Sequence, residues 1–110
     1  MPIVPSDHLQ GTLDLLILRA LVSGPAHGWA VAERLKLVSR DVLQIGQGSL
    51  YPALYRLEER RWIKATWGVS ELGRRARFYQ LTTSGRRQLE RERESWQAFV
   101  AAVGRVLQYA

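Results

Sequence analysis

The chain has 110 residues, the size of one domain with a modest core, and its hydrophobic content of 46% is typical of a folded protein rather than a disordered one. It has no cysteine, which excludes disulfides and thiolate metal sites, and its longest apolar run is far too short to span a bilayer. The formal net charge of +6 makes nucleic acid, an anionic membrane or an acidic protein the expected partner. The N-terminal segment lacks the pattern of a signal peptide, so a cytoplasmic protein without a membrane segment is expected.

The first part of the chain predicts two helices. Residues 1–11 contain two prolines and show no period, so an arm or a short extra turn is expected there. Thr12 can cap a helix over residues 13–22, whose apolar side chains fall on most faces and therefore predict burial on most sides. The sequence Ser-Gly-Pro at residues 23–25 ends this helix.

The second predicted helix covers about residues 27–38. His27 is expected to cap it, and Val31, Leu35 and Val38 are expected to point inward. Residues 40–47 form a connector, in which a short strand over residues 43–45 is one option.

The third predicted helix has the clearest pattern. Ser49 is a favourable N-cap, and Pro52 then falls in the first turn, where its missing N–H costs little. Leu50, Leu54 and Leu57 recur at helical spacing and form the inward stripe. The opposite side carries Pro52, Tyr55, Arg56 and Glu59, with Ser49 and Tyr51 beside them.

Two strands and a basic surface follow the third helix. Residues 63–67 and 77–81 alternate in polarity on either side of a glycine-containing loop, which predicts a β-hairpin with Trp62 and Trp67 in the core at its base. Residues 48–88 carry nine Lys/Arg and three Asp/Glu, so the whole surplus of +6 falls on this helix and hairpin. The order helix–helix–helix–hairpin is the winged helix-turn-helix plan, and a basic helix beside a basic hairpin tip indicates docking on a phosphate backbone.

The last segment predicts one long helix, capped by Thr82. Residues 1–82 are therefore interpreted as a mainly α winged helix-turn-helix domain with a small β-hairpin, and residues 83–110 as a C-terminal dimerisation helix. An apolar stripe with nothing left in the chain to cover it is usually covered by a second copy, so a homodimer is expected. The predicted interface consists of Leu89, Trp96, Phe99, Val100, Val103 and Leu107.

Four segments together resemble the PadR family of bacterial transcriptional regulators: GTLDLLILRAL, GPAHG, GSLYPALYRLEE and RRARFYQLTTSGRRQL. The resemblance runs from about Gly11 to Leu107 and is closest to the small members with a single C-terminal helix. It implies a dimeric repressor whose third helix enters the major groove while the wing touches the adjacent backbone or minor groove. It also implies that a small aromatic effector releases DNA in parts of the family, and that an aromatic residue such as Trp96 stacks a flat ligand in some members.

Double-stranded DNA is thus the predicted partner. Serine and tyrosine hydroxyls can donate to phosphates, an arginine fork matches a phosphate or a narrow minor groove, and glutamine can read adenine. The alternatives to DNA contact are that the wing arginines form a solvated charge cluster and that Tyr51 packs against the hairpin. The predicted DNA contacts are Gln47, Ser49, Tyr51, Pro52, Tyr55, Arg56, Lys64, Arg74, Arg75 and Arg77.

Three positions depart from the family pattern. Trp29 stands where Tyr or Phe is more frequent, and the wing reads Glu71-Leu72-Gly73 where related sequences carry asparagines. Arg61 replaces the usual glycine after the third helix, so either the helix ends differently or a left-handed arginine is tolerated at roughly 1 kcal/mol.

The sequence offers no catalytic or metal site. With two histidines and no cysteine, a metal site is not expected, and neither a cofactor motif nor a nucleophile elbow is present. Two alternatives to a sequence-specific regulator stay open: a winged helix that docks an acidic protein, and a non-specific DNA-binding protein. The ratio of specific to non-specific DNA affinity separates them.

Overall fold

The fold of the chain is a helical domain with a small sheet and one long terminal helix. The computed structural model describes residues 6–109, with side chains from residue 11 onward. Its elements in chain order are α1 (Ser6–Ala20), β1 (Ala26–His27), α2 (Gly28–Val38), α3 (Gln47–Glu59), β2 (Ile63–Val69), β3 (Arg75–Leu81) and α4 (Thr83–Gln108). The predicted class, mainly α with a winged helix-turn-helix arrangement, is confirmed.

Helix α1 begins earlier than the sequence pattern suggests. Its first residue is Ser6, so residues 6–11 are helical and the predicted arm is wrong for them; residues 1–5 of that arm lie outside the described residues. Thr12 therefore lies inside the helix and is not its cap. Ser6 and Asp7 are residue types that favour a first turn, and an interior glycine such as Gly11 costs only about 1 kcal/mol, which a helix packed on a core can absorb.

Helix α2 starts as predicted. The Nδ1 atom of His27 accepts a hydrogen bond from the Ala30 N–H at 3.2 Å, which confirms the histidine as the N-cap. Val31 and Leu35 are buried, as expected from their spacing. Val38 is 85% exposed, so its predicted inward position is wrong. It is the last residue of the helix and lies beyond the edge of the core.

The connector between α2 and α3 turns back on the helix end. Arg40 and Asp41 both adopt left-handed backbone angles, with φ of 55° and 67°, and the Asp41 N–H donates to the Lys36 carbonyl at 2.8 Å. The Leu43 N–H donates to the Ser39 hydroxyl at 2.8 Å. Residues 43–45 follow this reversal as a loop, so the optional strand there is not formed.

The sheet has a third strand that the sequence did not predict. Its order is β1-β3-β2, all antiparallel, and the two-residue β1 pairs Ala26 with Tyr79. A strand this short leaves no periodic signal, and its partner lies more than fifty residues away in the chain. The strand β1 ties the start of α2 to the base of the wing.

The predicted alternation of the wing strands is correct, but the inward-facing side chains are buried only near the base of the hairpin. Ile63 pairs with Leu81 at the buried base, and Trp67 pairs with Arg77 farther out on the same face. Because the hairpin extends beyond the core, Trp67 is 60% exposed, and its predicted core position is wrong. Trp62 is partly buried against the core.

The core lies where α1, α2, α3, the sheet base and the start of α4 meet. The third-helix stripe of Leu50, Leu54 and Leu57 is fully buried, as predicted. Leu89 of α4 belongs to the same core and is only 4% exposed. The expectation that Leu89 contributes to a dimer interface is therefore corrected, since its side chain is already covered within one chain.

Helix α3 ends on a left-handed arginine. Arg61 has a φ of 62°, and its N–H donates to the Glu58 carbonyl at 2.9 Å while the Trp62 N–H donates to the Leu57 carbonyl at 3.0 Å. These two bonds form a Schellman motif, in which glycine normally takes the position of Arg61. The strained backbone of Arg61 is tolerated because hydrogen bonds hold both the end of α3 and the start of the following strand.

Helix α4 is joined tightly to this same turn. The Thr82 hydroxyl accepts from the Gly85 N–H at 3.0 Å, which confirms Thr82 as the cap, and it donates to the Arg61 carbonyl at 2.6 Å. A Cβ added to Gly85 would overlap the Trp62 carbonyl oxygen. The first turn of α4 can approach the hairpin this closely only because residue 85 has no side chain.

We expect Gly85→Ala to lower the free energy of unfolding by about 3 kcal/mol, because the methyl group must push α4 away from backbone that cannot yield. Gly104→Ala is the matched control on the same helix, where a Cβ would meet nothing within 4 Å. There, the higher helix propensity of alanine should raise stability by about 0.5–1 kcal/mol. Urea unfolding of both variants checks this, and equal effects at the two positions would contradict the close approach.

Candidate nucleic-acid interface

Helix α3 presents a polar end to solvent. Its N-cap is Gly46, not Ser49, and the helix begins two residues before the predicted cap. Ser49 lies exposed in the first turn, and Pro52 falls in the second turn rather than the first. The N–H groups of Ser49 and Leu50 both donate to the Gly46 carbonyl, at 3.1 Å and 3.0 Å. No side chain caps this N-terminus, so it remains open to a negatively charged partner.

The two tyrosines of α3 have different surroundings. The Tyr51 ring lies against the backbone of Gly28 at the start of α2, where a Cβ would come within 2.8 Å of the Tyr51 hydroxyl. Tyr55 is exposed one turn farther, and the carboxylate of Glu59 raises its pKa by favouring the protonated phenol. Tyr51 therefore packs against the start of α2, whereas the Tyr55 hydroxyl interacts with the neighbouring Glu59 carboxylate.

Arg56 faces the inside of the domain. Its guanidinium donates to the Asp14 carboxylate of α1 at 3.0 Å, and Asp14 is the buried acid of the described residues. Burial raises the pKa of the Asp14 carboxyl above its ordinary range, and Arg56 pulls that pKa part of the way back. The side chain that the sequence assigned to DNA contact thus stabilises the packing of α3 on α1.

The wing turn is closed by its own backbone. The Ser70 N–H donates to the Arg74 carbonyl at 2.7 Å, and the Gly73 N–H donates to the Ser70 carbonyl at 2.9 Å. Gly73 has a φ of 76°, a left-handed angle that glycine adopts without strain. This turn fixes the direction of the arginines that follow it.

The wing arginines differ in what they contact. Arg75 lies over the Trp67 ring at 4.6 Å, and Arg74 is exposed; neither pairs with an acid among the described residues. Arg77 donates to the Glu58 carboxylate of α3 at 2.7 Å and so links the wing to the helix. Arg74 and Arg75 therefore offer the wing charges that no neighbouring acid offsets.

Two other predicted DNA contacts, Lys64 and Gln47, lie apart from the wing arginines. Lys64 pairs with Gln80 and is exposed on the opposite side of the sheet from Arg75 and Arg77. Gln47 is exposed in the first turn of α3. The structure brings together Tyr51, Arg74, Arg75 and Arg77, which line one cleft between the wing and the starts of α2 and α3.

Sequence reasoning missed the aromatic part of this cleft. Trp29 and Trp67 both line it and are 63% and 60% exposed. The departure of Trp29 from the family pattern was the available signal for one of them. For Trp67, the strand alternation pointed to the correct face but could not show that the core ends before it.

This arrangement defines a winged-helix DNA-binding protein. An uncapped helix N-terminus beside a basic β-hairpin is the geometry that meets a groove and its flanking phosphates. Within the described residues, no cluster of His, Asp and Glu could hold a metal ion, and no helix is both long and apolar enough to cross a membrane.

Comparison with known proteins gives the family. Residues 17–91 match the transcriptional regulator PadR-like family. A transcriptional regulator from Clostridium thermocellum has a TM-score of 0.81 at 25% identity and covers 94% of this chain and 97% of its own. A PadR-like transcriptional regulator from Bacillus cereus has a TM-score of 0.77 at 28% identity and covers 94% of this chain and 99% of its own.

A relative with higher identity is longer. An uncharacterised 37.1 kDa protein in a Streptomyces fradiae transposon is 42% identical over 82 residues, which make up 74% of this chain but only 22% of that protein. The chain belongs to the PadR-like family of transcriptional regulators. It is a DNA-binding transcription regulator and not an enzyme.

We expect Arg56→Ala to lower the free energy of unfolding by about 2 kcal/mol near neutral pH, because it leaves the buried Asp14 carboxylate without its guanidinium. Since the folded-state pKa of Asp14 is raised, its contribution to stability is full below its unfolded pKa and is lost as pH rises through the folded-state pKa. The destabilisation should therefore shrink at a lower pH, as the Asp14 carboxylate takes up a proton.

Denaturant titrations at the two pH values measure this difference. The double variant Asp14→Asn/Arg56→Ala is the control, and we expect it to be more stable near neutral pH than Arg56→Ala alone. A loss that is the same at both pH values would show that Arg56 stabilises the domain by packing and not through the charge of Asp14.

Proposed function

We propose that this regulator represses transcription as a homodimer that binds an inverted repeat in double-stranded DNA. The observation that carries the proposal is the placement of Tyr51 of α3 and of Arg74 and Arg75 of the wing around one cleft. A helix start and a basic hairpin held side by side can engage a major groove and the next stretch of backbone together. Two such units related by a two-fold axis require half-sites about one helical turn, ~10 bp, or a multiple of it apart.

The residues contribute unequally to this interface. Arg74 and Arg75 have no acidic partner among the described residues, so their charge is available to phosphates. Arg77 is already paired with Glu58, and Arg56 with Asp14, so we assign these two to positioning the wing and α3. Ser49 and Gln47 in the open first turn of α3 are the candidates for entering the groove first.

Replacing both free wing arginines tests the phosphate contacts. We expect Arg74→Ala/Arg75→Ala to weaken binding to every duplex DNA and to flatten the plot of log affinity against log salt by about 3.6 units, ~0.9 for each of the four contacts that a dimer loses. Fluorescence anisotropy across a salt series measures the slope.

The double variant Arg91→Ala/Arg105→Ala is the control. It removes the same charge from exposed positions on α4, and the slope should stay at the wild-type value. A wing variant with an unchanged slope would remove the wing from the phosphate interface. If it also lost no DNA affinity, an acidic protein partner for the basic face would be favoured.

Helix α4 supports the dimer. Beyond Glu94 its residues are nearly all exposed, and one side carries a continuous apolar stripe. Trp96 and Phe99 begin the stripe, with ring centroids 6.0 Å apart, and Trp96 is 41% exposed. An exposed apolar stripe of this size on a helix is typical of a self-complementary interface. We propose that the stripe packs against its copy through Trp96, Phe99, Val100, Val103 and Leu107.

Truncating the first aromatic of the stripe tests this interface. We expect Trp96→Ala to shift the protein toward monomer in dilute solution, because the indole supplies the largest apolar surface of the stripe. Sedimentation velocity over a concentration series measures the shift. Arg105→Ala, on the opposite side of α4, should leave the equilibrium unchanged, and a Trp96→Ala protein that is as dimeric as this control would place the interface elsewhere.

A further inference from the structure

Most of the unpaired positive charge in residues 48–88 lies away from the wing turn. Of the nine Lys/Arg there, Arg56 and Arg77 pair with acids, and Arg74 and Arg75 belong to the wing. The other five are exposed, and none of them forms an ion pair within the described part of the chain. We call them the joint surface; they are Arg60, Arg61, Lys64, Arg86 and Arg87.

The fold brings the joint surface together from two segments of the chain. The Arg61 carbonyl accepts a hydrogen bond from the Thr82 hydroxyl at 2.6 Å, and the Trp62 carbonyl lies against Gly85 in the first turn of α4. The end of α3 and the start of α4 are therefore neighbours. Their positive side chains collect at one end of the winged domain.

Acidic residues do not offset this charge. Residues 60–66 and 80–89 contain no Asp or Glu. The two acids that precede the first segment are engaged elsewhere, Glu58 with the wing and Glu59 with the Tyr55 hydroxyl. Like charges gathered at one place repel one another, so the joint surface lowers the stability of the folded chain unless an anion is bound.

Arg61 adds a second cost at the same place. Its φ of 62° is left-handed, in a turn where glycine is the residue that fits without strain. Its exposed guanidinium forms no hydrogen bond or ion pair within the described residues, so no contact inside the domain explains an arginine there. Strained backbone of this kind persists mainly at functional sites. The charge of Arg61 is therefore the feature that requires a partner.

The joint surface is too far from the wing turn to serve the DNA bound there. Helix α3 runs about 20 Å from its open start to this end, at 1.5 Å per residue. Strand β3 runs about 20 Å from the wing turn to the base of the hairpin, at ~3.3 Å per residue. Charges are screened over ~8 Å at physiological ionic strength. A duplex docked on the wing and the start of α3 thus gains little from these five side chains.

The chemistry of the surroundings favours nucleic acid over a protein partner. Among residues 60–66 and 80–95 there is no exposed large apolar side chain. Protein interfaces centre on apolar and aromatic anchors and are depleted of charge at their core, whereas interfaces with DNA are polar and strongly positive. Trp62 is partly buried, and the Arg60 guanidinium lies over its ring at 5.1 Å, so this indole is not a free anchor.

We propose that the joint surface binds the phosphate backbone of a second DNA duplex, so that the regulator bridges two duplexes. The first duplex is held by the wing and the start of α3, and this part of the inference rests on the proposed function. Lys64, which the sequence assigned to DNA contact, then contacts the second duplex and not the first. Arginine and lysine suit this role because binding to phosphates releases counterions from DNA without regard to sequence.

A capture assay tests the second surface. One duplex is immobilised on beads, and a fluorescent duplex of the same arbitrary sequence is retained only if the protein holds both. The assay is run at reduced salt, because non-specific DNA binding weakens steeply as salt rises. Fluorescence anisotropy with a single duplex gives the affinity for the first duplex separately.

The test variant is Arg61→Gly/Lys64→Gln/Arg87→Gln. We expect it to reduce capture of the second duplex about tenfold, while the affinity for a single duplex and its salt slope stay near the wild-type values. Because glycine relaxes the left-handed turn at position 61, the variant should unfold no earlier than the wild type, which thermal melting verifies. The control Arg61→Lys/Lys64→Arg/Arg87→Lys keeps the charge and should keep the capture.

Three results would overturn the inference. Wild-type protein that holds one duplex but captures no second one would exclude bridging, and binding of poly-L-glutamate that the test variant loses would then assign the surface to an acidic protein. Capture that the test variant retains would mean that the two winged domains of a dimer hold the two duplexes. A loss of single-duplex affinity as large as that of Arg74→Ala/Arg75→Ala would place the joint surface on the first duplex.

Failure of the proposed function is a separate result. If Arg74→Ala/Arg75→Ala binds a single duplex as well as the wild type, the wing interface is wrong, whatever the capture assay gives. If that variant loses single-duplex affinity and the test variant does not, the wing interface stands and the capture result alone decides the joint surface.

Discussion

The close approach of Gly85 to the Trp62 carbonyl is the constraint on which the arrangement of the molecule depends. At this point the end of α3, the start of β2 and the first turn of α4 come into contact. The Arg61 carbonyl accepts from the hydroxyls of Thr82 and Ser84, and the Thr82 N–H donates to the Trp62 carbonyl at 3.1 Å. The backbone contact and the short hydroxyl side chains of Thr82 and Ser84 together fix the direction of α4 relative to α3.

Helix α3 is held between two ion pairs of different character. On one side Arg56 binds the buried Asp14 of α1. Removing one partner of such a pair is strongly destabilising, because the other charge is left without its counter-ion. On the other side Glu58 binds Arg77 of the wing at a largely exposed position, where such a pair contributes little to stability. The first pair therefore anchors the helix to the domain, and the second orients the wing while leaving it able to adjust.

Local patterns predicted the elements well and their surroundings poorly. The caps at His27 and Thr82 were predictable because a cap depends on a few neighbouring residues. The strand alternation around Trp67 was also correct, since side chains alternate along any strand. Whether Trp67 or Val38 is buried depends on where the core ends, and that edge is set by elements far away in the chain. For the same reason, the cleft between wing and helices could not be predicted, although each residue that lines it could be assigned to an element.

The length of α4 gives the joint at Gly85 a mechanical meaning. From Thr83 to Val103 the helix runs about 30 Å without a proline, at 1.5 Å per residue. In a dimer held by the apolar stripe, each α4 would behave as a stiff rod that rotates about the stripe and carries the winged domain at its other end. A rotation of ~7° at the pivot would move that domain by roughly 3–4 Å, about the rise of one base pair. A small change in packing between the two copies would thus change the separation of the two DNA-binding domains by about one base pair.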